Sequence, residues 1–226
     1  MDPRDHAKEL AAQKALEYIH DDMVLGLGTG STASHFIRLL GERVQKGLKV
    51  RGIPTSKGSE ELAKSLSIPV IDFHQTSTID LAVDGADEIA PGLALIKGGG
   101  GALLREKIVA SASKKFIVVA DSSKIVKHLG KFPLPVEVIT MAAPLVAAKL
   151  TALGIRPQVR QAKSGGDYVT DEGNLILDCN CGEIQDPPAL AAAIRAIVGV
   201  VEHGLFLNMA DLAIVSSDQE ISLLSK

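Results

Sequence analysis

The chain has 226 residues, 46% of them hydrophobic but only 3% aromatic and none Trp, and it carries 24 Lys and Arg against 27 Asp and Glu, a formal net charge of -3. That length allows one large domain or a large one with a smaller companion, and a core of Val, Ile, Leu and Ala is the composition of a buried parallel sheet. Near-neutral charge without blocks of one sign argues against nucleic acid and membrane surfaces as partners, two Tyr and five Phe are too few for a base-stacking platform, and nowhere do about 18 apolar residues run together.

Residues 1–10 are charged and lack the apolar run of a secretory signal, which places the protein in the cytoplasm. From 3 to 20, Ala7, Leu10, Ala11, Ala15, Leu16 and Ile19 fall at helical spacing and predict an amphipathic first helix. Residues 23–27 read as a buried strand. After a glycine turn at 28–32, Ala33, Phe36, Ile37, Leu40 and Val44 predict a second helix, with Gly47 as its stop. The alternation continues with strand 49–53, helix 58–66, strands 68–72, 79–84 and 93–96, helix 101–112 and strand 115–120. Strands alternating with helices imply right-handed parallel crossovers. The expected fold class is therefore α/β, with a Rossmann-like parallel sheet whose ligands gather at the carboxyl ends of its strands.

Pro133 and Pro135 interrupt the pattern and predict a hinge, since two prolines so close continue neither a helix nor a central strand. Beyond it come strand 136–140, helix 142–153, strand 155–160, a glycine-rich turn at 164–166, strand 174–179, helix 187–197 and strand 199–204. That order, β-α-β-β-α-β, is a split βαβ, ferredoxin-like unit, a smaller α+β domain. Residues 212–215 and 220–224 read as strands returning to the first domain. The expected division is 1–132 plus 205–226 for the Rossmann-like domain and 133–204 for the smaller one. Cys179 and Cys181 lack further ligands at zinc spacing and read as two small strand side chains.

Residues 26–32, GLGTGST, sit between a strand and a helix, where backbone N–H groups and the helix dipole can receive an anion such as phosphate. Gly28, Gly30 and Ala33 fit the dinucleotide pattern G-x-G-x-x-G/A. The acidic residue expected about 20 positions later is missing, however, and the next strand ends instead in Pro54, Thr55, Ser56 and Lys57. A small phosphate ester suits this loop better than NAD, and a tight turn without a ligand stays open. Asp84, Asp87 and Glu88 crowd the mouth of the sheet, with Lys97 as the candidate cation. A solvated acidic loop and a magnesium site are the alternatives there. Four glycines, Gly98 to Gly101, lose much backbone entropy on ordering, which requires something to approach them closely. Glu106 falls in the second turn of the helix that follows, where a Glu beside Lys and Arg is ordinarily a surface charge. Lys124 ends another strand-to-loop junction and can meet a phosphate as a point charge. The six His show no metal-binding spacing.

Taken in order, GTGSTASHFI at 28–37, DLAVDGADEI at 80–89, IKGGGGALLREKI at 96–108 and ADSSKIVKHLGKFPLPVEVI at 120–139 resemble ribose-5-phosphate isomerase of the A type. The likeness continues through LILDC at 175–179 to GVVEHGLF at 199–206. The resemblance implies interconversion of D-ribose 5-phosphate and D-ribulose 5-phosphate through an enediolate, with Glu106 as the base that carries the proton between C2 and C1. It assigns Asp84, Asp87 and Lys97 to ring opening and oxyanion stabilisation. It assigns Thr29, Gly30, Ser31, Thr32, Gly85, Ala86, Gly98, Gly99, Gly100 and Lys124 to substrate contact, with Lys8 as a further contributor. The implied partner is a small sugar phosphate, no metal or organic cofactor is implied, and the family's usual assemblies are homodimers or tetramers. The chain departs from the family pattern at 163–167, where the loop is slightly expanded. The rival reading is a sugar-phosphate-sensing regulator domain, opposed by the lack of a helix-turn-helix ahead of the first strand and of a basic patch. A sugar-phosphate deaminase or lactonase, or an isomerase of different pentose stereochemistry, is the other.

Overall fold

The structure is a computed structural model that describes residues 3–217 and 220–225. Its elements are α1 (Pro3–Ala15), β1 (Val24–Leu27), α2 (Ser31–Gln45), β2 (Arg51–Pro54), α3 (Lys57–Ser65), β3 (Leu81–Asp84), β4 (Glu88–Ala90), β5 (Ala94–Ile96), α4 (Leu103–Ser111) and β6 (Phe116–Asp121). They continue with β7 (Leu134–Val138), α5 (Ala143–Ala152), β8 (Arg156–Val159), β9 (Leu175–Asn180), α6 (Pro187–Arg195), β10 (Val200–His203), β11 (Leu205–Phe206), β12 (Leu212–Ser216) and β13 (Ile221–Ser225). Two compact units result. One takes the chain up to Ala86, Arg105–Lys124 and the residues from Asn208 on, and the other takes Asp87–Leu104 and Ile125–Leu207.

The first unit is built on a six-stranded sheet in the order β13-β12-β6-β3-β1-β2, parallel throughout except for β13, which runs antiparallel to β12. Side chains alternate along a strand, so Leu25, Leu27, Leu81, Val83, Ile117, Val119, Leu212 and Ile214 share one face. They form one core there with Ala11 and Ala15 of α1 and Phe36, Ile37 and Leu40 of α2. Each buried Val, Leu, Ile or Phe among them stabilises the fold by about 1.5–3 kcal/mol relative to exposure. On β1, Gly26 faces the other way. A β-carbon there would stand 2.5 Å from Cγ1 of Val109 and 2.7 Å from Cβ of Ala82, so the bare backbone is what lets α4 seat on the sheet. From β1 the chain passes through α2 to β2 on one side, and β3 then pairs on the other side of β1. At such a reversal of strand order, here at the carboxyl ends of β1 and β3, open α/β sheets bind their ligands.

Several sequence expectations change here. The first helix ends at Ala15 and gives way to a single 3-10 turn, Leu16–Tyr18. The strand expected at 68–72 is reduced to one bridge, Gly52 to Val70: Pro69 has no N–H to give, although its carbonyl accepts from Gly52 N–H at 2.8 Å. Gly101 has φ +86, outside the helical range, and α4 therefore starts at Leu103 rather than at 101.

In the second unit, β7-α5-β8-β9-α6-β10 folds into an antiparallel sheet of order β10-β7-β9-β8, the expected split βαβ arrangement. Its core gathers Leu134, Val136, Val138, Val146, Leu150, Leu177 and Ile194 with Cys179. Burial pushes the Cys179 thiol up and raises that of Cys181 to about 11, so both stay protonated at neutral pH. A second, three-stranded antiparallel sheet of order β11-β5-β4 corrects the expectation that 93–96 adds a strand to the parallel sheet, and β4 itself was not expected. These pairings put 87–104 with the second unit, and 125–132 falls there too, so the units divide elsewhere than 132/133.

Pro135 also departs from expectation, because it lies inside β7, an interior strand. Its carbonyl accepts the Gly204 N–H at 2.7 Å, but proline cannot return the hydrogen bond to Gly204. The Gly204 carbonyl instead accepts from the N–H of Lys97 at 2.9 Å, so a donor from the neighbouring three-stranded sheet replaces the missing one. Among the described residues, no helix is long and apolar enough to cross a membrane.

Candidate active site

In the first unit, Gly28, Thr55, Asp84 and Glu106 line a narrow crevice with Gly26, Ala82 and Val109, too tight in this structure to admit a water molecule. Asp84 closes β3 and is 3% exposed. Its Oδ1 accepts the N–H of Thr29 at 3.0 Å and that of Gly85 at 2.7 Å, which fixes the carboxylate against the turn after β1. A β-carbon on Gly28 would collide with that carboxylate, so glycine is what allows the strand end and the acid to meet. Glu106 is 4% exposed and lies in the first turn of α4, one turn earlier than the sequence predicts, because the helix begins later. There the positive end of the helix dipole favours a carboxylate. A buried acid on an apolar helix face beside a second buried acid is no solvated surface charge.

The turn after β1 leads into α2 through Gly30, whose φ of 104 glycine adopts without strain. The first N–H groups of a helix have no intrahelical acceptor. At α3, Ser56 caps them in a reciprocal box with Ser59, and at α6 Asp186 accepts from Ala189. At α2 the N-cap offers no side chain, which leaves that end, with Ser31 exposed beside it, suited to an anion. Thr29 Oγ1 lies 2.7 Å from Thr55 Oγ1 and 2.8 Å from Ser56 Oγ. In the sequence Thr55 and Ser56 stand only where a ribose-binding acid is missing; the signal for them is their place at the end of β2. Lys124 ends the single 3-10 turn after β6, where Oδ1 of Asp121 accepts from the N–H of Ser123 at 3.0 Å.

The second unit holds Asp87, Lys97 and the glycines. Lys97, 2% exposed, follows β5, and its Nζ lies 5.4 Å from the centroid of the Phe206 ring. This corrects the expected placement of Lys97 at an end of the parallel sheet. Asp87 Oδ2 accepts the N–H of Gly99 at 2.7 Å, and a β-carbon on Gly99 would stand 2.5 Å from Oδ1. A β-carbon on Gly98, with φ +102, would meet Leu103, and one on Gly101 would stand 2.2 Å from the Tyr168 hydroxyl. The close approach demanded by this run of glycines is thus made in part by the protein's own side chains.

Glu88 leaves the candidate site. It is buried in β4, with its two oxygens accepting the N–H groups of Gly130 at 2.7 Å and Phe132 at 2.5 Å, so its charge organises a loop. Among the described residues, no group of three or more His, Cys, Asp or Glu side chains is placed to hold a metal ion.

Residues 51–220 match the family described as ribose 5-phosphate isomerase A (phosphoriboisomerase A). The ribose-5-phosphate isomerase A of Sphingopyxis alaskensis is 51% identical over 209 residues, which cover 92% of this chain and 91% of that protein. The one from Roseiflexus castenholzii is 53% identical over 221 residues, covering 96% and 94%. Among solved structures, a D-ribose-5-phosphate isomerase in complex with phospho-erythronic acid superposes with a TM-score of 0.96 at 40% identity, covering 99% of each chain. The ribose 5-phosphate isomerase A of Methanocaldococcus jannaschii superposes with a TM-score of 0.93 at 42% identity, covering 97% and 98%.

Proposed function

This chain belongs to the ribose 5-phosphate isomerase A family, and from that premise we propose that Glu106 is the base of its aldose–ketose isomerisation, carrying one proton between C2 and C1 through an enediolate. The protein is a ribose-5-phosphate isomerase. Once the furanose has opened to the aldehyde, the Glu106 carboxylate takes the C2 proton, and the C–H electron pair becomes the C1–C2 double bond of the enediolate with its charge on O1. Glu106 then returns the proton to C1, while the O2 proton passes to O1, which leaves the ketone at C2. One carboxylate must both take and give, and an acid shielded from water can be tuned to do both.

The observation that carries this reading is the burial of Glu106 in the crevice lined also by Gly28 and Asp84, at the switch point of the sheet. Asp84 and Asp87 assist ring opening, and Lys97 supplies positive charge where the oxyanion develops. The uncapped start of α2, at Gly30, Ser31 and Thr32, takes the phosphate together with Lys124, while Thr29, Gly85, Ala86, Gly98, Gly99 and Gly100 line the sugar. One relative was solved in complex with phospho-erythronic acid, a phosphorylated sugar acid whose phosphate and anionic head group are of the kind this scheme requires the site to hold. Neither a metal nor an organic cofactor enters this scheme.

The test is Glu106→Gln, which keeps the shape and removes the base. Turnover of ribose 5-phosphate by chelator-treated protein should fall by about 10²- to 10⁴-fold, with binding of the sugar phosphate retained by calorimetry. A variant near the wild-type rate would exclude Glu106 as the base.

A further inference from the structure

The loop at Gly98–Gly101 carries two left-handed glycines, Gly98 at φ 102 and Gly101 at φ 86, and its own hydrogen bond, from the Gly101 N–H to the Gly98 carbonyl at 2.9 Å, is too little to hold so flexible a run in one conformation. Within the second unit an arginine does so. Arg160, the residue after β8, directs Nη1 at the carbonyl oxygens of Gly98 at 2.9 Å and Gly99 at 3.1 Å. Its other donors grip Asp178 on β9, Nε to Oδ2 at 2.9 Å and Nη2 to Oδ1 at 2.5 Å. The Gly99 residue is thereby held on both sides, its N–H by Asp87 and its carbonyl by Arg160. Tyr168 completes the grip, with its ring centroid 5.9 Å from the guanidinium carbon and its hydroxyl against Gly101.

We propose that Arg160 is a positioning residue for the isomerisation: it fixes the peptide planes at Gly98 and Gly99, and through them the alignment of Asp87 and Lys97, while Asp178 holds the guanidinium in register. The proposal rests on the reading above that this loop belongs to the catalytic machinery. Only a planar fork serves here, because one edge must satisfy a carboxylate while the remaining Nη1 reaches two carbonyls at once. Lysine brings the charge without the geometry. The side chain of Arg160 is 13% exposed, so water does not readily replace it.

The experiment compares Arg160→Ala, Arg160→Lys and Asp178→Asn in steady-state turnover of ribose 5-phosphate, with thermal midpoints in parallel. Arg160→Ala and Arg160→Lys should each lose kcat by about 10- to 100-fold, with KM changed far less. Asp178→Asn should lose less, and combining it with Arg160→Lys should add little. Guanidinium ion at millimolar concentration should restore part of the kcat of Arg160→Ala and none of that of Glu106→Gln. Wild-type kcat in Arg160→Ala, a loss confined to KM, or a loss that guanidinium leaves untouched would overturn the proposal. Should Arg160→Ala fail to fold, Asp178→Asn decides: a lower kcat at an unchanged thermal midpoint supports positioning, and wild-type kcat overturns it. Failure of the base assignment is read separately, as turnover by Glu106→Gln.

Discussion

The α-carbon of Gly28 sits so close to Asp84 that a β-carbon at position 28 would stand 2.3 Å from the carboxylate Oδ1 and 2.6 Å from the Asp84 α-carbon. The first of these contacts could be relieved by a rotamer change, but the second involves backbone. Gly28→Ala therefore has to push β1 and β3 apart at their ends or turn the carboxylate out of the crevice. The expected outcome is a loss of about 1–3 kcal/mol in unfolding free energy together with a drop in kcat/KM of roughly 10- to 100-fold. Chemical denaturation and initial rates on the same preparation check both. A variant with full activity would mean that the position of Asp84 is immaterial to turnover.

Lys124 ends a 3-10 turn held by Asp121, and its proposed task is to meet the phosphate as a point charge. Lys124→Ala should raise KM for ribose 5-phosphate by about 10- to 100-fold, the worth of a hydrogen bond to a charged group, with kcat little changed. Added salt should weaken the wild type more than the variant. An unchanged KM would remove Lys124 from the phosphate site.

Glu137 titrates against stability rather than activity. It lies in β7 at 1% exposure, and Oε1 accepts from Thr170 Oγ1 at 3.0 Å and Asn174 Nδ2 at 2.9 Å. Burial holds its carboxyl above the usual glutamate range, and the two hydrogen bonds pull the other way without cancelling it. A carboxyl raised in the folded state binds its proton more tightly there than in the unfolded chain. The stability it contributes is complete below the unfolded value of about 4.3 and is lost as pH rises through the folded value. Glu137→Gln keeps an acceptor for both donors and has no charge to desolvate. Its thermal midpoint should exceed that of the wild type at about pH 8, with the difference shrinking toward about pH 5. Parallel midpoints across that range would show that Glu137 does not titrate on unfolding.

The candidate site was legible where chemistry coincides with a strand end. Gly28–Thr32, Asp84 and Glu106 each lie beside a junction that periodicity alone locates, and the structure gathers Gly28, Asp84 and Glu106 along one crevice. What sequence could not supply was pairing at a distance. Glu88 looks like Asp84 and Asp87 on the page, yet its acceptors are spent on backbone groups 42 and 44 positions away. Pro135 argues against a central strand until the Lys97 N–H is found doing its work at Gly204. Arg160 carries no local signal at all, since the glycines it holds are 62 and 61 positions distant. Likewise the alternation of elements assigns β5 to the parallel sheet, because nothing near it in sequence reveals β11, its antiparallel partner.

The pairing of β12 with β6 has a consequence for how the chain is made. β12 lies parallel to β6 from Leu212 opposite Ile117 to Ser216 opposite Asp121, and the Phe116 N–H is anchored by the Asp211 carboxylate across 95 positions. At about 5–20 residues per second, a ribosome delivers the second strand some 5–20 s after the first. For that interval the nascent protein carries an apolar strand, Phe116–Asp121, with one hydrogen-bonding edge open to any other extended chain. The moment of greatest aggregation risk thus falls during synthesis, before the sheet can close over its own interior.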